Sequence, residues 1–289
     1  MKYIFIVNAR AGKGTAAKIV GNINRVCTAR GLDFEIRLRE ENKSCYDIAM
    51  EYKKKDYVLY VVGGDGTLAV TLPAIVGTKN KLGIMPAGSG NDTYRTVKNL
   101  PDGENKIDIG KVNDVYFINV ACSGIDAEVG HNKEKFKNTI IPKSQVYNAS
   151  IVYTFFKYKC RNVKLKTDVK SIDSKYTILS ICNGAYYGGG YNIAPKSDLT
   201  DGMFDIYFAE AMPKYAMIPL ILKLKNGRHE GKRRVHKYRT NHVELEFDED
   251  VMFNVDGEKI VDSKFIIDIL PKELTLYNDK ELVEEILKI

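Results

Sequence analysis

The run Tyr57-Val58-Leu59-Tyr60-Val61-Val62 passes directly into Gly63-Gly64-Asp65-Gly66-Thr67, and no other junction constrains the chain as much. An apolar run closed by glycines reads as a buried strand ending in a tight turn. In open α/β sheets ligands bind outside the carboxyl ends of the strands, where glycines let backbone N–H groups approach an anion such as phosphate. A second turn, Gly88-Ser89-Gly90-Asn91-Asp92, follows the apolar residues 82–85. A third glycine loop, Asn8-Ala9-Arg10-Ala11-Gly12-Lys13-Gly14, follows residues 1–7. An isolated Gly-Gly-Asp-Gly is equally well a plain strand-to-helix turn. Together the three turns predict phosphate binding.

A chain of 289 residues exceeds one ordinary hydrophobic core, so two domains are expected. Cys27, Cys45, Cys122, Cys160 and Cys182 are odd in number, widely spaced and free of any Cys-x-x-Cys. That pattern argues against a disulfide framework and a zinc site, and fits a reducing cytoplasm. Residues 1–7 are too short an apolar stretch for a signal peptide and predict the first strand. No apolar run approaches the roughly 18 residues needed to span a bilayer, so membrane contact is expected to be peripheral. The 44 basic and 37 acidic residues are unevenly spread. Between Lys223 and Arg239 lie Lys223, Lys225, Arg228, Lys232, Arg233, Arg234, Lys237 and Arg239, with Glu230 the sole acid. Such a stretch suits an anionic membrane surface or nucleic acid, or is an ordinary solvated loop.

Residues 14–30 place Ala16, Ile19, Val20, Ile23, Val26 and Cys27 at helical spacing, with Gly31 where a C-terminal helix cap belongs. Phe34, Ile36 and Leu38 alternate as in a strand, and a helix is predicted from near Ser44. A strand at 57–62, a helix through 68–75 and a strand at 82–85 continue the alternation to about residue 100. That order predicts a doubly wound, mostly parallel sheet. After Pro101 the pattern changes. Runs at 107–112 and 115–120 flank Asn113-Asp114, a hairpin signal. Further β runs fall at 163–169, 176–182, 203–209, 243–247 and 265–270, with helices expected within 144–159 and near 213–225. The reading is an N-terminal α/β nucleotide-binding domain (residues 1–104 with a C-terminal helix at 277–289) and a C-terminal antiparallel β-sandwich domain (residues 105–276).

Two loops of the second domain look chemical. Asn183-Gly184-Ala185-Tyr186-Tyr187-Gly188-Gly189-Gly190-Tyr191 spends backbone entropy on three consecutive glycines, which signals tight geometry. Past it, Asp198, Asp201 and Asp205 could hold a hard cation through oxygen ligands, although a plain Asp-Gly turn explains them as well. Asn254-Val255-Asp256-Gly257-Glu258 sets two carboxylates two residues apart, able to share proton acceptance and metal organisation. A simple hairpin turn is the competing explanation.

In this order, Asn8 to Gly12, Gly63 to Thr67, Pro86-Ala87-Gly88-Ser89-Gly90-Asn91-Asp92, Asn183 to Tyr191, Leu199-Thr200-Asp201-Gly202 and Asp256-Gly257-Glu258 resemble the bacterial diacylglycerol kinase family of soluble lipid kinases, nearly end to end. The resemblance implies transfer of the γ-phosphoryl group of ATP to a lipid hydroxyl. It assigns ATP contacts to Asn8, Ala9, Arg10, Ala11, Gly12 and Lys13, to Gly63, Gly64, Asp65, Gly66, Thr67, Leu68 and Ala69, and to Gly88, Ser89, Asn91 and Asp92. Asp65 would lie near the phosphates and their metal. Glu258 would be the proton acceptor, and Asp256 a base or metal organiser. A structural Mg²⁺ maps to Asp198, Asp201 and Met203, with Asp201 the strong side-chain ligand. The basic stretch is then most simply a membrane-surface contact that brings the enzyme to its lipid, with no role for nucleic acid. A homodimer through a β-sheet edge is compatible with this organisation.

The chain departs from the family pattern in places. Gly88-Ser89 stands where many relatives have Gly-Thr, Arg39 where a threonine is common, and Thr93-Tyr94-Arg95 where Phe-Ala-Arg is commoner. NAD kinases and phosphofructokinases carry similar Gly-Gly-Asp-Gly turns, so an NAD or sphingoid-base kinase is the nearest alternative. A non-catalytic relative that binds nucleotide or lipid is a further one. A dehydrogenase is disfavoured because no Gly-x-Gly-x-x-Gly opens the first helix.

Overall fold

The structure, a computed structural model, describes residues 1–132 and 146–288. The side chain of Lys13 and residues 144 and 145 of the expected 144–159 helix lie outside the described residues. In chain order the first elements are β1 (Lys2–Val7), α1 (Thr15–Ala29), β2 (Asp33–Leu38), α2 (Cys45–Met50), β3 (Val58–Gly63), α3 (Asp65–Thr71), β4 (Lys81–Pro86) and α4 (Asp92–Val97). There follow β5 (Gly103–Val112), β6 (Val115–Phe117), β7 (Val120–Gly124), α5 (Ile125–Asn132), α6 (Val146–Lys157), β8 (Arg161–Thr167), β9 (Ser171–Cys182), β10 (Tyr186–Tyr187) and β11 (Tyr191–Asn192). The last are β12 (Phe204–Glu210), α7 (Lys214–Lys225), β13 (Val235–Thr240), β14 (His242–Val255), β15 (Glu258–Asn278) and α8 (Lys280–Leu287). Packing divides the chain into two compact units. The first is Met1–Ile109 with Leu199–Asp201 and Leu270–Ile289, and the second is Gly110–Asp198 with Gly202–Ile269.

In the first unit β2, β1, β3, β4 and the end of β15 pair side by side, all parallel. Every residue of β3 is buried, so this strand needs a layer on each face. Tyr3, Phe5, Val7, Tyr60 and Val62 pack against Ile19, Ile23 and Val26 of α1 and Leu282, Val283 and Ile286 of α8. Ile4, Ile6, Leu59 and Val61 point to the opposite face and are equally buried, beneath the layer that α2 and α3 build together. Local signals set the helix ends. Leu32 N–H donates to Cys27 O and Gly31 N–H to Thr28 O, with Gly31 at φ +63, a complete Schellman cap for α1. Ser44 and Asp47 form a reciprocal capping box that opens α2. The chain runs from β1 outward to β2 and then returns past β1 to β3. The β1/β3 pair is therefore the point where strand order reverses, and its carboxyl end is the expected ligand crevice.

The second unit is antiparallel and sandwich-like. Its β9 pairs with β7, β8 and β12, β12 with β13, and β14 with β7, β8 and β15. From Tyr176 onward every residue of β9 is buried, because the strand faces a core on each side. Tyr176, Leu179 and Ile181 meet Phe204, Phe208, Leu245, Phe253 and Phe265 in the sheet-on-sheet core. Ile178 and Cys182 meet Tyr158, Met217, Leu220 and Leu224, which brings α7 onto the outer face. Helix α5 was not expected from the sequence. Ile125 and Ala127 are buried in that second layer, whereas short Gly-bounded pieces carry little periodic signal. None of the five cysteines is joined in a disulfide among the described residues. Among the described residues no helix is long and apolar enough to cross a membrane.

Candidate active site

The three glycine loops of the first unit converge at the carboxyl ends of β1, β3 and β4. Asn8 N–H donates to Val62 O at 3.1 Å, and its Nδ2 donates to Thr67 Oγ1 at 3.0 Å. Ala87 N–H reaches Gly63 O at 2.8 Å. Three glycines are required by close approach. A Cβ on Gly12 would sit 2.0 Å from Ala87 O, one on Gly64 2.9 Å from Gly88 Cα, and one on Gly88 2.4 Å from Gly64 Cα. Gly12 also has φ +58. Asn91 closes the third loop on itself from left-handed backbone, accepting from Gly88 N–H at 2.9 Å and donating to Gly88 O at 3.0 Å.

Asp65 opens α3, and its Oδ1 accepts Thr93 N–H at 3.1 Å, which ties the start of α3 to the start of α4. Thr67 N–H donates to Gly64 O at 2.9 Å, and the first turn of α3 leaves the N–H groups of Asp65 and Gly66 without intrahelical carbonyls. The remaining expected contacts distribute unevenly. Leu68 and Ala69 are buried in the core, so only their backbone is available. The Arg10 guanidinium turns to Glu41 at 3.0 Å. Asp92 is buried and pairs with Arg95 at 2.9 Å, while Ser89 is exposed. Ala9 and Ala11 are partly exposed beside Asn8. Arg39 follows β2 with its N–H on Val7 O.

The residues fit a nucleotide. Asn8 Oδ1 is buried and accepts no hydrogen bond among the described residues. Whichever way the amide is turned, one of its polar atoms is left over once Thr67 is satisfied. The glycine cradle supplies close backbone approach where any Cβ would intrude.

In the second unit Asp256 and Gly257 form the two-residue turn between β14 and β15, with φ +46 and +94 as a type I′ turn requires. The Asp256 carboxylate accepts three backbone N–H groups, from Ile118 at 2.7 Å, Asn119 at 3.0 Å and Val120 at 2.9 Å, while its own N–H donates to Val120 O at 3.1 Å. The other sequence-singled loop grips the same segment. Asn183 Nδ2 donates to Ile118 O at 2.8 Å, and the N–H groups of Asn183 and Gly184 donate to Asn119 O. Segment 118–120 was not anticipated, since only long-range pairing reveals it. Glu258 is half-buried, and among the described residues its carboxylate makes no hydrogen bond or ion pair, which leaves it able to accept a proton. Gly188, Gly189 and Gly190 all have positive φ, the tight geometry expected of three glycines, and Tyr187 and Tyr191 stack edge-on beside them.

Asp198 and Asp201 are exposed and Met203 is partly exposed, along one turn that Gly202 makes at φ +72. Carboxylate and carbonyl oxygens of this kind fit a hard cation such as Mg²⁺. Among the described residues, no group of three or more His, Cys, Asp or Glu side chains forms a metal cluster. Asp108, passed over in the sequence because it sits between two apolar residues of a strand, is fully buried. Its N–H holds Leu199 O at 2.7 Å and its Oδ1 takes Lys272 N–H at 2.8 Å.

Comparison with known proteins agrees with this geometry. Residues 2–118 match the diacylglycerol kinase catalytic domain, and residues 119–278 match the YegS C-terminal NAD kinase beta sandwich-like domain. A diacylglycerol kinase of Mycobacterium tuberculosis is 27% identical over 265 residues, covering 85% of each chain. A protein of Shewanella frigidimarina named "Probable lipid kinase YegS-like" is 24% identical over 270 residues, covering 83% of this chain and 86% of the other. The crystal structure of a diacylglycerol kinase from Bacillus anthracis superposes with a TM-score of 0.71 at 20% identity, over 96% of this chain and 97% of that one, and so shares the fold. With both halves of its length matched to the two domains of one family, the chain belongs to the diacylglycerol kinase and YegS-type family of lipid kinases.

Proposed function

We propose that this protein transfers the γ-phosphoryl group of ATP to the hydroxyl of a lipid, with diacylglycerol as the acceptor. The observation that carries the reading is the convergence of the 8–12, 63–67 and 88–92 loops at the strand-order reversal of the first unit, with a buried Asn8 amide oxygen left unsatisfied. Phosphoryl transfer asks mainly for positioning and charge stabilisation. Backbone amides of the glycine loops would hold the phosphates, and Asn8 and Thr67 would fix the crevice wall. Glu258 would take the proton from the acceptor hydroxyl as the new P–O bond forms. Asp256 would act through the backbone, holding segment 118–120 in place.

A magnesium ion, when bound, would screen negative charge. Asp65 would face the metal that accompanies ATP, and Asp198, Asp201 and the Met203 carbonyl would hold a second, structural ion. The basic stretch 223–239 would make the peripheral contact with an anionic membrane. A homodimer would use β2 or β13, each of which has a pairing partner on one side only among the described residues.

The test is transfer of radiolabelled γ-phosphate from ATP with Mg²⁺ to diacylglycerol, phosphatidylglycerol, a polyprenol and a sphingoid base in mixed micelles, with NAD as a soluble acceptor. Label on diacylglycerol that disappears in Glu258→Gln is the expected result. Label on NAD alone would replace this reading with an NAD kinase, and ATP binding with no labelled product would leave a non-catalytic relative.

A further inference from the structure

Helix α7 is apolar on two opposite faces. Successive residues of a helix turn by about 100°, so Met217, Leu220 and Leu224 form one stripe, and Tyr215, Ile218 and Leu222 another within about 60° of each other on the far side. The first stripe is buried against the β7, β9 and β12 face. The second is exposed: Tyr215 by 79%, Ile218 by 50% and Leu222 by 63%. Pro219, also exposed, borders this stripe next to Tyr215. Lys223 flanks the stripe on one side, and Lys214 and Lys225 on the other.

The chain that leaves this helix is strongly basic, and the structure sorts its cations. Lys237 and Arg239 are drawn to Asp205, and Arg234 donates to Ala211 O. Glu230, the stretch's one acid, is engaged by the Tyr207 hydroxyl at 2.5 Å and by Lys196 and Lys237. Lys223, Lys225, Arg228, Lys232 and Arg233 are all exposed and have no carboxylate within 4.0 Å among the described residues. An outward apolar stripe bordered by Lys223 and Lys225, with Arg228, Lys232 and Arg233 exposed just beyond the helix, is complementary to one kind of surface, an anionic bilayer. Headgroup phosphates would meet the lysines and arginines there, and the outer acyl chains would cover the stripe.

We infer that α7 is an interfacial helix, which lies in the plane of an anionic membrane and buries Tyr215, Ile218 and Leu222 among the lipids, with the five cations at headgroup level. The inference deepens the lipid kinase reading by naming how the enzyme reaches an insoluble acceptor. Its test runs without ATP, so vesicle contact and phosphoryl transfer can fail separately.

The protein contains no tryptophan, so Leu222→Trp installs a single fluorophore in the stripe. Val169→Trp, at a position exposed by 62% in the β8–β9 turn, is the reference. With vesicles of phosphatidylglycerol and phosphatidylcholine, the Leu222→Trp emission is expected to shift to the blue and to lose at least half its intensity when the acyl chains are brominated. Val169→Trp should do neither. The combined variant Tyr215→Ser, Ile218→Ser and Leu222→Ser should bind the same vesicles at least tenfold more weakly at an unchanged thermal midpoint. Cosedimentation without quenching at position 222 would overturn the inference in favour of a purely electrostatic contact. A blue shift in the absence of lipid, accompanied by a dimer in sedimentation velocity that the triple variant abolishes, would overturn it in favour of a second copy of the chain.

Discussion

Asp256 and Glu258 are two residues apart, yet their surroundings predict opposite results when each charge is removed. The Asp256 carboxylate accepts from three backbone N–H groups at 2.7 to 3.0 Å. Hydrogen bonds to a charged acceptor contribute about 1.5–3 kcal/mol each. In Asp256→Asn one oxygen becomes an NH₂ group, which cannot accept and must face an N–H, so at least one of the three bonds is lost and another is weakened. The expected cost is about 2–5 kcal/mol of stability. Glu258→Gln removes no such bond and should leave stability within about 0.5 kcal/mol, while turnover falls by about 10²–10⁴-fold if Glu258 is the proton acceptor. Urea unfolding followed by circular dichroism, paired with the labelled-phosphate assay, reads both quantities. An Asp256→Asn protein with an unchanged unfolding midpoint and no turnover would refute the bracing argument and make Asp256 the base. Full activity in Glu258→Gln would remove Glu258 from the chemistry.

The other perturbations are simpler. Gly88→Ala places a Cβ 2.4 Å from Gly64 Cα, so the two loops must part; ATP affinity measured by calorimetry should fall at least tenfold and stability by about 1–3 kcal/mol. Gly21→Ala, in α1 with nothing within 4 Å of the added carbon, should instead gain about 0.5–1 kcal/mol and keep ATP binding. His229 is fully buried with its ring 4.8 Å from that of Tyr207, and burial pushes its pKa below the ordinary 6.5. The stability gained by keeping it neutral is therefore complete above about pH 6.5 and is lost as pH falls through the folded-state value; His229→Gln should flatten the fall in unfolding midpoint between pH 7 and 5. Leu282→Ala, in the fully buried face of α8, should cost about 2–5 kcal/mol in the same unfolding experiment.

The first unit was legible because its signals are local. Apolar runs leading into glycine loops gave β1, β3 and β4, while Ser44 and the glycine at position 31 marked helix ends that the structure caps as expected. The doubly wound and sandwich classes followed from the change of pattern after Pro101. The glycine loops could be singled out, but their convergence depends on which strands pair, and that register is not written locally. The same limit hid the bracing of segment 118–120 by Asp256, a contact across 136 to 138 residues. β14 and β15 run far beyond the apolar patches at 243–247 and 265–270, because Asp248-Glu249-Asp250, Glu258-Lys259 and Pro271-Lys272-Glu273 interrupt the apolar pattern and read as loop. In α7 the helix was expected near 213–225, but not its second apolar face, since a sequence pattern does not say which of two stripes is covered.

The first unit is also discontinuous in sequence. Thr275 and Leu276 complete its parallel sheet beside Lys81 and Leu82, and α8 covers α1, with Asn22 Nδ2 on Ile286 O and Arg30 on Glu285 at 2.9 Å. On the ribosome, Phe5, Tyr60 and Ile23 therefore emerge long before the residues that cover them, and the whole antiparallel unit is synthesised in between. Translation order thus imposes a waiting period in which an α/β sheet with an open edge and an uncovered helix must persist without its last strand. Folding of the nucleotide-binding half becomes a late event in the birth of the chain, and a nascent-chain protease assay would register it only after α8 clears the exit tunnel.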